Sequence, residues 1–275
     1  MTAIRSIGDR LATGKPLIMG ILNVTPDSFS DGGRFDSPAS ALAQAQTLLD
    51  EGADILDIGG ESTRPGHVPL AAAEELARVL PVIEAVAPLA RARGVPVSID
   101  TYRAETARAA LAAGATIVND IWGLQRDPDM AAAAAAFGAP VVVMHNREAP
   151  DASLDIVDEM RHFFLRSIAI ARQAGIADAD IVLDPGIGFG KTPEQSIEAL
   201  GRLAEIRRMG FAVLVGASRK SFIGNLIQRP PDARLYGTLA AHLAALAQGA
   251  DILRVHDVLP HVEAVRVWQA IASRR

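Results

Sequence analysis

The stretch PVSIDTYRAETARAALAAGATIVND, residues 96–120, carries the pattern that decides the fold. A short apolar run at 96–99 leads to Asp100, and an Ala- and Leu-rich segment with helical spacing fills 104–113. Gly114 then stands where a helix end favours glycine, and a second apolar run at 116–118 leads to Asn119. This is one strand, one helix, one cap and the next strand, the repeating element of a parallel sheet.

Working outward, the same unit recurs about eight times. Apolar runs at 17–22, 55–58, 96–99, 116–118, 141–144, 181–183, 212–215 and 252–255 read as strands. They are almost continuously apolar, as strands covered on both faces are. Helical spacing fills 38–50, 71–93, 104–113, 128–137, 156–174, 193–209, 233–248 and 259–271, and seven of these end near a glycine: Gly52, Gly94, Gly114, Gly138, Gly175, Gly210 and Gly249. The expectation is an α/β fold, a TIM (β/α)8 barrel in a single domain over residues 1–275, with an ordered core from about 16 to 272. A doubly wound open sheet shares the alternation. A barrel differs in gathering the polar ends of every strand at one mouth.

Composition bounds the function. The chain has 275 residues, 49% of them hydrophobic, enough to bury a substantial core. Its net charge of -5, with 27 basic and 32 acidic residues interspersed, leaves no footprint for nucleic acid. With no cysteine, disulfides, thiolate zinc sites and cysteine nucleophiles are excluded. Residues 1–20 lack the apolar core of a signal peptide and no stretch is long enough to span a membrane, so the expected location is cytoplasmic, with no membrane partner.

Just past the apolar runs stand Asn23, Asp57, Asp100, Asn119 with Asp120, His145 with Asn146, Asp184, Ser218 with Lys220, and Arg254 with His256. Turn and cap chemistry accounts for Asp and Asn at single strand ends. It does not call for Lys, Arg and His there, so these ends predict a polar site at the barrel mouth. Asn23 and Asp27 offer hard oxygens of the kind magnesium takes beside a diphosphate, although residues 25–27 also read as a simple Pro turn. Arg254 and His256, two apart on a strand, face the same way and suit that diphosphate. A helix starting near residue 220 would aim free N–H groups at an anion. The glycine-rich run 184–192 fits neither standard phosphate-loop spacing and reads as backbone that approaches a flat ligand beside Phe189. There is no compact histidine pair for zinc, and His67, His162, His242 and His261 read as ordinary surface or packed histidines. Carboxylates and an amide at Asp100, Asn119 and Asp184, opposite Lys220 and Arg254, match the guanidine-like edge of a pterin.

Residues 19–33 (MGILNVTPDSFSDGG) and 57–66 (DIGGESTRPG) resemble the two signature segments of dihydropteroate synthases. Further matches at 98–101, 118–121, 184–191, 218–224 and 254–258 run in family order along nearly the whole chain. The resemblance implies condensation of 6-hydroxymethyl-7,8-dihydropterin diphosphate with 4-aminobenzoate, giving 7,8-dihydropteroate and diphosphate. It assigns the pterin to Asp100, Asn119, Asp184 and Lys220, with Met144, Phe189 and Gly216 around it. Asn23 is the magnesium (Mg2+) ligand, and Asn23, Arg64, Arg254 and His256 hold the diphosphate. The aminobenzoate site comprises Phe29, Thr63, Pro65, Phe189, Ser218 and Ser221, where sulfonamides compete. Thr25, Asp27, Asp31 and Arg64 belong to lid loops, and Asp100, Lys220, Arg254 and His256 are the catalytic set. A homodimer is implied as well. Two features depart from the family: the segment after Arg147 is brief, and residues 70–73 lack a Ser or Thr cap. The alternatives are a pterin-binding methyltransferase serving a corrinoid and a catalytically silent pterin-binding homologue.

Overall fold

A computed structural model describes residues 7–11, 13–24, 38–61 and 70–274. Its centre is a closed barrel of eight parallel strands: β1 (Leu17–Asn23), β2 (Ile55–Gly59), β3 (Val97–Asp100), β4 (Ile117–Asp120), β5 (Val141–Met144), β6 (Ile181–Asp184), β7 (Ala212–Val215) and β8 (Ile252–Val255). Each strand pairs with the next, and β8 closes on β1 with Leu17 opposite Ile252. All eight strands fall on the expected apolar runs, and closure removes the open-sheet alternative. The helices are α1 (Ile7–Leu11), α2 (Pro38–Asp50), α3 (Ala72–Ala92), α4 (Ala104–Ala112), α5 (Met130–Ala136), α6 (Ile156–Gln173), α7 (Pro193–Gly201), α8 (Leu203–Arg207), α9 (Ser221–Ile227), α10 (Leu235–Ala247) and α11 (Val258–Ala272).

Local chemistry sets the helix ends. The seven glycines read as helix stops all adopt positive φ, between 62° at Gly138 and 117° at Gly114. Asp155 caps α6 by accepting from the N–H groups of Val157 and Asp158, and Thr192 with Gln195 forms a reciprocal capping box on α7. Ala71 makes no side-chain cap, in keeping with the missing Ser or Thr. Two expected helices differ. Residues 193–209 break at Arg202, where φ is -105° and ψ is 17°, giving α7 and α8. The segment 233–248 begins helically at Leu235 and is preceded by the separate short helix α9. No helix among the described residues is long and apolar enough to cross a membrane.

The barrel interior is layered by strand parity. Leu17, Met19, Ile55, Ile117, Val142, Val182, Leu214 and Ile252 form a dry floor, plugged from below by Ile7 of α1. Two residues further along the same strands stand Asp57, Asn119, Met144, Asp184, Gly216 and Arg254. A strand returns its side chains to one face every second residue, so the floor positions aim this next layer into the mouth.

Candidate active site

That layer converges. Asp57, fully buried, accepts at Oδ2 from Arg254 Nε at 2.6 Å and from Asn119 Nδ2 at 3.2 Å. Arg254 Nη2 donates to Asp100 Oδ2 at 2.6 Å, so one guanidinium joins carboxylates from β2 and β3 to the tip of β8. Asp184 accepts the N–H of Gly186 at 2.8 Å. Burial pushes Asp184 up to about 6 and Asp100 up to about 7, against the pull of Arg254 on the latter. These carboxyls are held away from water and ready for a ligand that donates hydrogen bonds.

Above them opens a cavity of about 760 Å³, lined in part by Asn23, Asp100, Gly216, Ser218, Lys220, Arg254 and His256. A narrower recess beside it is walled by Asp100, Asn119, Met144, Asp184, Phe189, Gly216, Lys220 and Arg254. Lys220 Nζ lies over the Phe189 ring, 4.1 Å from its centre, so a flat ligand stacking on Phe189 must displace the ammonium. Ser218 Oγ accepts the N–H of His256 and lies 2.9 Å from His256 Nδ1. Burial first, then Arg219 and Arg254, holds His256 down at about 3. His256 is thus neutral in the site, and Arg254 carries the cationic charge.

The structure brings together the expected residues Asn23, Asp100, Asn119, Met144, Asp184, Phe189, Gly216, Ser218, Lys220, Arg254 and His256. Ser221 is the first residue of α9 and is exposed. Thr25, Asp27, Phe29, Asp31, Thr63, Arg64 and Pro65 lie outside the described residues.

Three features were missed by sequence reasoning. Asp57 was noted only as a strand end, yet a carboxylate between Leu56 and Ile58 in a buried strand requires a cation, and that was its signal. Lys191 is buried, and its Nζ reaches His145 Nδ1 at 2.7 Å, Gly186 O at 2.9 Å and Phe189 O at 3.1 Å. It staples the turn that carries Phe189, and burial lowers it to about 7. Gly186, at φ 62°, must be glycine here because a Cβ would collide with the carbonyl oxygen of His145. Arg103 bridges Glu61 and Glu75 at 2.7 and 2.8 Å and donates to Leu70 O at 2.6 Å. This ties together the two residues that flank 62–69.

The family model described as "Pterin binding enzyme" matches residues 19–256. The dihydropteroate synthase of Synechocystis sp. is 49% identical over 92% of this chain and 89% of its own length. The Xanthomonas albilineans dihydropteroate synthase, solved with 4-aminobenzoic acid, superposes with a TM-score of 0.90 at 45% identity, covering 94% of each chain. That of Yersinia pestis, solved in a sulfonamide drug complex, gives 0.87 at 43% identity over 95% of this chain and 96% of its own. On this likeness in sequence, length and barrel geometry, the chain belongs to the pterin-binding enzyme family, among the dihydropteroate synthases.

Proposed function

We propose that the mouth of this barrel joins 6-hydroxymethyl-7,8-dihydropterin diphosphate to 4-aminobenzoate, releasing diphosphate. The observation that carries the reading is the convergence of Asp100, Asn119, Asp184 and Arg254, from four strands, and Lys220, from the loop after β7, on one recess beside the larger cavity. In this reading the pterin enters the recess with its N–H edge on Asp184, whose carboxylate offers acceptors in pairs. Asn119 and Lys220 meet the remaining ring atoms, and Met144 and Phe189 supply the apolar walls. The diphosphate is directed to Arg254 and to His256.

Departure of diphosphate is the demanding step, since the C–O bond breaks with both electrons leaving on oxygen. The ring nitrogens of the pterin spread the positive charge left on the methylene. The amine of 4-aminobenzoate, or a sulfonamide in its place, approaches from the side of Ser218 and Ser221. It then attacks the methylene and gives up a proton, with no covalent enzyme intermediate. Arg254 supplies fixed charge for the leaving group.

Magnesium fits this site. Asn23 lines the cavity with a hard amide oxygen, and magnesium beside a diphosphate takes only one or two protein ligands and keeps several waters. The lack of a three-carboxylate or histidine cluster among the described residues is therefore no obstacle. When bound, the ion would neutralise charge on the diphosphate. A homodimer and a cytoplasmic location complete the reading, on the strength of the family resemblance.

The test is diphosphate release with and without 4-aminobenzoate, in the wild type and in Lys220→Ala. Release that requires the amine and is lost in the variant is expected. Methyl transfer to a corrinoid, or pterin binding with no release at all, would replace this reading by one of its alternatives.

A further inference from the structure

Helix α10 is otherwise rich in Ala and Leu, yet it buries Thr238 and His242 completely. Together with Arg234, immediately before the helix, they stand at i, i+4 and i+8, a single stripe. All three grip the backbone of the loop that leaves β7. His242 Nε2 accepts the N–H of Ala217 at 3.0 Å, and Thr238 Oγ1 accepts the N–H of Arg219 at 3.1 Å. Arg234 Nη1 donates to Arg219 O at 2.9 Å and to Lys220 O at 3.3 Å. Gly224 of α9 makes room for this, because a Cβ there would overlap the Arg234 guanidinium. Arg219 is held at φ 58°, a conformation that side-chain-bearing residues adopt only when their surroundings enforce it.

His242 is itself fixed from behind. Its Nδ1 lies 2.9 Å from Nε2 of buried His261, whose Nδ1 lies 2.6 Å from the backbone oxygen of Asp257. The chain of bonds starts at a backbone N–H, which can only donate, and ends at a carbonyl, which can only accept. Both rings must then be neutral with the proton on Nδ1, the form in which all three bonds are made. A proton added to either ring would set donor against donor. The charged and titratable groups around the pair are Arg219, His256 and Asp257, and the Asp257 carboxylate takes Arg219 in two bonds of 3.1 and 2.5 Å. Burial, acting first, lowers both histidines and so favours the neutral form. The two histidines first read as ordinary packed residues therefore join the β7 loop to the β8 loop.

We infer that Arg234, Thr238 and His242, backed by His261, are positioning residues that hold residues 216–221 so that Ser218 meets His256 and Lys220 faces the pterin recess. The inference rests on the function proposed above. None of these side chains touches substrate, and their action is through the backbone of Ala217, Arg219 and Lys220.

The test uses pairs of variants in the full chain. Thr238→Val and His242→Phe keep shape and remove the acceptor, whereas Thr238→Ser and His242→Gln restore one. Each removal is expected to raise the KM for 4-aminobenzoate or pterin diphosphate about tenfold, the usual scale for one buried bond, with the restoring variant within about threefold of wild type. A fall in kcat at unchanged KM that matches the loss of folded protein would mean a structural role only, and would overturn the inference. So would unchanged kinetics in both acceptor-free variants of an active enzyme. In 15N spectra both rings should appear as neutral Nδ1–H tautomers, and a charged ring or an Nε2–H form of His242 would also overturn it. A wild type that releases no diphosphate at all would instead remove the function reading, and this inference with it.

Discussion

Replacing Asp184 by Asn removes a charge that the folded chain holds at a cost. Asp184 is 4% exposed and accepts the Gly186 N–H, while burial raises it from an ordinary 3.8 to about 6. The sign follows from proton counting. Between these two values the folded state binds more protons than the unfolded one, so stability falls as pH rises through that window and stays lowered above it. At pH 8 the penalty is about 3 kcal/mol, taking ~1.4 kcal/mol per pH unit of displacement. Asn can still accept from Gly186, so Asp184→Asn should recover about 1–3 kcal/mol of it, or a melting temperature several degrees higher. Thermal unfolding of ligand-free protein from pH 4 to pH 8 checks this, and the gain should shrink towards zero near pH 4. On the function proposed above, the same change removes the paired acceptors for the pterin. Two charge-assisted bonds at ~1.5–3 kcal/mol each imply an affinity loss of at least about a hundredfold, measurable by calorimetry. A variant less stable than wild type at pH 8, or one that binds the pterin within threefold of wild type, would refute the reasoning.

Three further outcomes follow from the same geometry. Asp57→Ala strands Arg254 beside Asp100 alone and should cost about 3–5 kcal/mol in urea unfolding, whereas Asp57→Asn, which keeps an acceptor, should cost about 1–2. Lys191→Met leaves the carbonyls of Gly186 and Phe189 without their donor, and should cost about 2–3 kcal/mol and weaken pterin binding through Phe189. A pterin analogue lacking the diphosphate should lose affinity as pH falls from about 7 to about 6, because Asp100 and Asp184 gain protons there and cease to accept; binding that is flat across this range would contradict the roles of both.

The barrel was legible because parallel strands covered on both faces write themselves as apolar runs, and because the glycines at 52, 94, 114, 138, 175, 210 and 249 serve a backbone angle other residues resist. The break at Arg202 was not. Its guanidinium is held by Asp155, Glu198 and Glu205, and the contact with Asp155 spans 47 residues, a distance that local periodicity does not report. Within the site, reading strand ends found Asp100, Asn119, Asp184 and Arg254, and noted Asp57 without giving it a role, because it sits mid-strand. Strand parity gives it one, since Asp57 follows Ile55 as Asp184 follows Val182. The role of His242 left no mark at all in the sequence. Its partners are a main-chain N–H and a second histidine, and neither is written as a motif.

The resting mouth is electrostatically closed on itself. Arg254 is bound by Asp57 and Asp100, Asp184 by a backbone N–H, and Lys220 lies on Phe189. A simple anion gains little here, because taking Arg254 from its carboxylates leaves those buried charges unpaired. A simple heterocycle also gains little, because it must lift Lys220 from the ring without offering it an anion. A ligand with a donor edge at one end and a diphosphate at the other makes both exchanges together: the edge satisfies the carboxylates as the diphosphate takes up the cations. On the function proposed above, the requirement for both ends at once would select a pterin diphosphate over either half. On the same reading, loss of the diphosphate would return Arg254 to Asp100, so the pairing seen in the free chain would favour product release.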